Sequence, residues 1–68
     1  MPMAIINGRR VDVPSTATDD DIRRAGGIRD DRTLIKRERH GNFVIPRGSR
    51  ANVAEGDVFV DSPKRIKG

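Results

Sequence analysis

The chain has 68 residues, 34% of them apolar and 35% charged, with a formal net charge of +4. So short a chain supports one hydrophobic core, burying about 60% of the surface its unfolded form exposes, and without cysteine it can hold neither a disulfide nor a thiolate zinc site. The longest apolar run, Met3 to Ile6, is four residues, against roughly 7–15 for a signal peptide and about 20 for a membrane span, so a soluble, cytoplasmic chain with no membrane partner is expected.

Met3-Ala4-Ile5-Ile6 reads as a strand, and Asn7-Gly8 supplies the positive φ angles of a tight hairpin turn. Val11 and Val13 alternate with Arg10 and Asp12 in a second strand, which Pro14 ends by removing a ladder donor. Across this hairpin Ala4 and Ile6 share a face with Val11 and Val13, leaving Met3 and Ile5 on the other. Ser15 to Thr18 reads as a loop, with Thr18 the N-cap of a helix of about two turns. Asp19, Asp20 and Asp21 suit the positive end of its dipole, Arg23 and Arg24 the negative end, and Gly26-Gly27 permits a left-handed stop.

Arg32 to Arg37, Phe43 to Ile45 and Val58 to Val60 read as three further strands. Arg39 to Asn42 and Glu55-Gly56-Asp57 are turns, Arg47 to Arg50 a polar connection, and Val53 an isolated apolar anchor. The order is β-β-α-β-β-β. Such a chain buries its apolar residues by laying one helix across one face of a sheet, an α+β architecture with a mixed sheet of four to five strands. The expected core is Ile6, Val11, Val13, Ile22, Ala25, Ile28, Leu34, Ile45, Val53 and Phe59.

The composition points away from chemistry. His40, the only histidine, lies in an Arg-rich turn without a second metal ligand or a nucleophile. Asp19-Asp20-Asp21 lacks the alternation and central glycine of a calcium loop, and the glycines form no phosphate loop. No catalytic residue, metal or cofactor is expected. The basic balance attracts acidic partners, but nucleic-acid binders add stacking aromatics, and here Phe43 and Phe59 are the only aromatics.

These elements resemble the ubiquitin-like β-grasp family. Ile6-Asn7-Gly8, Ile22-Arg23-Arg24-Ala25-Gly26, Leu34 and Gly56-Asp57-Val58-Phe59 are similar to the bacterial multiubiquitin-type domain. Gly56-Asp57-Val58-Phe59-Val60-Asp61-Ser62-Pro63 followed by Gly68 resembles the sulfur carriers of thiamin and molybdopterin synthesis, with Lys67-Gly68 where those have paired glycines. Residues 1–61 are expected to form the domain and 62–68 a flexible basic tail, since Pro63 stops ladder pairing and Lys64, Arg65 and Lys67 prefer water. A monomer that binds protein partners and is not an enzyme is expected. The resemblance places Ile35 where ubiquitin-like proteins keep an exposed apolar contact. Ile5, Lys36 and Arg37 join Ile35 as candidate partner-binding residues on the helix-free face, beside Arg10. Gly68 is the candidate for C-terminal activation by an adenylating enzyme, as a conjugated modifier or as a thiocarboxylate sulfur carrier. A non-covalent nucleic-acid-binding module is the remaining alternative.

Overall fold

The computed structural model describes residues 1–63. Its elements are β1 (Met3–Ile6), β2 (Arg9–Asp12), β3 (Thr16–Thr18), α1 (Asp19–Gly26), β4 (Arg32–Glu38), β5 (Gly41–Ile45), β6 (Arg50–Asn52) and β7 (Val58–Pro63). Five strands form one mixed sheet in the order β2-β1-β7-β4-β5, and β3 and β6 form a second sheet of two strands. The fold is α+β, with one helix. Among the described residues no helix is long and apolar enough to cross a membrane.

The β1–β2 hairpin follows from Asn7 and Gly8, whose φ angles of 51° and 84° suit the right-handed twist of the flanking strands. Ala4 then faces Val11 across the ladder. β7 lies beside β1 in parallel, with Ile6 beside Phe59, and pairs antiparallel with β4 on its other side.

The helix is defined at both ends by local chemistry. Thr18 Oγ1 accepts from the Asp21 amide at 3.1 Å, and Asp21 Oδ2 accepts from the Thr18 amide at 3.2 Å, a reciprocal capping box. At the other end Gly27 takes a left-handed φ of 70°, and the Ile28 amide reaches back to the Arg23 carbonyl at 2.8 Å. Gly26 remains inside the helix for a packing reason. A Cβ there would overlap the Ile6 side chain, so the absent side chain lets the helix settle onto β1.

Alternation along each strand decides what the helix covers. Ile6, Leu34, Ile45 and Phe59 are buried with Ile22, Ile28, Val13 and Val53, as expected, and Ala4 is buried beside them. Val11 and Ala25 are only partly buried at the margin of that cluster. Ala17 and Ala51 complete it. They face each other across a two-stranded sheet, where the sequence predicts a loop at Thr16–Thr18 and a polar connection at Arg50. The Val53 amide bonding the Ser15 carbonyl and the Asp19 amide bonding the Ser49 carbonyl extend this pairing at both ends.

The last strand is also longer than expected. Ser62 pairs with Thr33 and Pro63 with Arg32, so these two residues belong to the sheet rather than to a tail beginning at Ser62. Proline does end the ladder, but from within the last pair, where a missing amide costs least. The remainder of the expected tail, including Gly68, lies outside the described residues.

Candidate docking face

The side of the sheet away from the helix is assembled by register. Ile5 lies between Arg10 of β2 and Val58 of β7, and Val58 in turn lies beside Arg37 of β4. One row across the sheet therefore reads Arg10, Ile5, Val58, Arg37. The next row reads Val60, Ile35, Val44. Ile5, Ile35, Val58 and Val60 are half-buried, Val44 is 60% exposed, and Arg10 and Arg37 are exposed. The result is a strip of carbon across four strands, bracketed by two guanidinium groups. Aliphatic contact with arginine on both sides suits recognition of another protein surface.

Ile5, Ile35 and Arg37 lie together on this face. Lys36 does not, and the expectation that it flanks them is corrected. Its register partners are Phe59 and Phe43, so it shares the helix side with Leu34. Its ammonium is 3.1 Å from the Asn52 carbonyl, 3.2 Å from Glu38 Oε2 and 3.3 Å from Asp57 Oδ2, and the side chain is 17% exposed. Burial pushes its pKa down, but Glu38 and Asp57 outweigh that and hold it above the ordinary lysine value. Lys36 thus ties β4 to β6 and to the turn before β7.

Three face residues were not singled out from the sequence: Val44, Val58 and Val60. A signal existed in Val58-Phe59-Val60. Once Phe59 points into the core, its two neighbours must point out. A second unexpected feature is the pair Asp19–Arg23, whose residues are 4% and 3% exposed. Asp19 Oδ1 accepts from the Gly48 amide at 2.8 Å, and Oδ2 from Arg23 Nε at 3.2 Å. Arg23 also donates to the carbonyls of Arg29 and Arg32 at 3.0 and 2.8 Å. The pair joins the loop before β6, the helix and the loop before β4. Each buried charge has hydrogen-bonded partners, which a buried ion pair requires.

On the helix side Arg32 Nε donates to Asp61 Oδ2 at 3.0 Å. Burial pushes the Asp61 carboxyl up, and the Arg32 guanidinium, helped by the Asn7 side chain, more than offsets this and holds it below the ordinary carboxylate range. His40 is exposed on the β4–β5 turn. No family model, curated protein or solved structure matches the chain.

Proposed function

We propose that the chain is a ubiquitin-like β-grasp module that works by docking protein partners on the face away from its helix. The strand order β2-β1-β7-β4-β5, with a central parallel pair and one helix between the hairpin and β4, supports the β-grasp reading. The observation that carries the function is the strip Val60-Ile35-Val44 and Ile5-Val58, held between Arg10 and Arg37. Its complement is an apolar protein surface with acidic residues at the margin. Both aromatic side chains belong to the other face, since Phe59 and Phe43 share Lys36's register. That removes the stacking platform a nucleic-acid reader uses and favours a protein partner.

The test compares three immobilised forms at equal loading: wild type, Ile35→Ala and Arg24→Ala. Arg24 lies on the exposed side of the helix. A partner held by wild type and Arg24→Ala but released by Ile35→Ala, with Ile35→Ala still folded and melting cooperatively within a few degrees of wild type, supports the reading. Equal retention by all three contradicts it. A covalent role through Gly68, as modifier or sulfur carrier, rests on the sequence resemblance and has a separate test. A cognate adenylating enzyme with ATP should convert the Gly68 carboxylate to an adenylate, and deleting Gly68 should abolish that conversion.

A further inference from the structure

The five-stranded sheet has two edges, β2 and β5. β2 carries the exposed charges Arg9, Arg10 and Asp12 along its length. Charges and proline are what natural sheets use to stop an edge from pairing with another chain. β5 reads Gly41-Asn42-Phe43-Val44-Ile45, without a charge or a proline. Phe43 is 53% exposed and Val44 60%, on opposite faces of the strand. β5 pairs with β4 on one side only, so alternate amides and carbonyls along its other side have no ladder partner among the described residues. Beside its C-terminal end opens a cavity of about 220 Å³, whose lining includes Leu34, Ile45, Pro46 and Arg47. An unguarded edge next to a side-chain pocket is the arrangement that strand addition uses. Main-chain pairing supplies affinity, and the pocket supplies selectivity.

We propose that the β5 edge accepts an extended segment of another protein, apolar in its centre and acidic at both ends. The charges at the ends of the strand select this occupant. Arg39 stands before β5 in the turn, and Arg47 stands two residues beyond it, its guanidinium bonded to the Asp30 carbonyl rather than to a carboxylate. Two copies of this chain pairing antiparallel about Phe43 would set Arg39 of each against Arg47 of the other, cation on cation at both ends. An acid-flanked segment meets the same two arginines with opposite charge. This site adjoins the docking face and shares Val44 with it, but it binds through the backbone of the edge and the cavity beside Ile45.

The test uses amide exchange of the intact chain, read by NMR, with three synthetic peptides. One has alternating valine and isoleucine between aspartates. The second has the same centre between lysines. The third is the aspartate peptide N-methylated at alternate residues. The aspartate peptide should slow exchange of alternate β5 amides and leave β2 unchanged. The lysine peptide should bind about tenfold more weakly, and the N-methylated one not at all. Val44→Lys should lose the binding while the Leu34 and Phe59 amides keep their protection. Arg47→Glu, which leaves the strand and Arg39 in place, should abolish the preference between the two charged peptides. Unchanged exchange along β5, slowing along β2 instead, or equal binding of both charged peptides would overturn the proposal. Slowing of β5 exchange in the protein alone as its concentration rises would assign the edge to a second copy and overturn it too.

Discussion

On one side of the five-stranded sheet Ile6, Leu34 and Phe59 are fully buried; one residue away along the same strands, Ile5, Ile35 and Val58 are only half-buried. Ile5 and Ile6 are the same residue type and Leu34 and Ile35 are isomers, so hydrophobicity alone does not separate core from surface. Two things separate them: the two-residue alternation of a strand and the placement of the single helix. A small domain with one helix can cover only one face. The other must keep its carbon in water unless a partner covers it. Burial of the apolar strip by a partner would gain roughly 25 cal/mol for each Å² removed from water.

The contrast breaks most severely where the helix is held in place. Asp19→Ala leaves the Arg23 guanidinium buried without its carboxylate and frees the Gly48 amide. Loss of about 3–5 kcal/mol is expected, enough to unfold a domain of this size, and chemical denaturation measures it. A variant that melts with wild type would show that the helix is held by its apolar side alone. Adjacent residues on β4 sharpen the comparison. Leu34→Ala should cost about 2–5 kcal/mol, while Ile35→Ala, on the half-buried face, should cost about 1 kcal/mol or less. Equal costs would mean that the open face is part of the core.

The smallest effect concerns pH and the margin of the covered face. The folded pKa of Asp61 lies below its ordinary 3.8. Its contribution is therefore complete above the unfolded pKa of about 3.9 and is lost as pH falls through the lower folded value. Asp61→Asn should be less stable than wild type at neutral pH, and the difference should shrink as pH falls below about 4. A difference that stays constant down to acid would remove the Arg32–Asp61 pair as its cause.

Much of the covered face was legible in the sequence because strong local signals coincide there. Asn7-Gly8 fixes the hairpin register, Thr18 and Gly27 bracket the helix, and isolated large apolar residues mark the strands. The two-stranded sheet was not legible. Thr16-Ala17-Thr18 and Arg50-Ala51-Asn52 are three residues each with alanine at the buried position, too short for a period and too weak in β propensity. Asp19 was hidden for another reason. An aspartate in a first helical turn is already explained by the dipole, so nothing in its position announces a buried partner four residues on. Lys36 could have been placed correctly. A period of two puts it with Leu34, and only its charge argued for the open side.

The most direct measurement is methyl-resolved NMR of the protein with a soluble paramagnetic probe, because it compares both faces in one sample. Methyl signals of Ile5, Ile35, Val44, Val58 and Val60 should broaden strongly, and those of Ile6, Ile22 and Leu34 should stay sharp. Equal protection of the two sets would mean that the supposed docking face is already covered, contradicting the division of the sheet into a filled face and a free one.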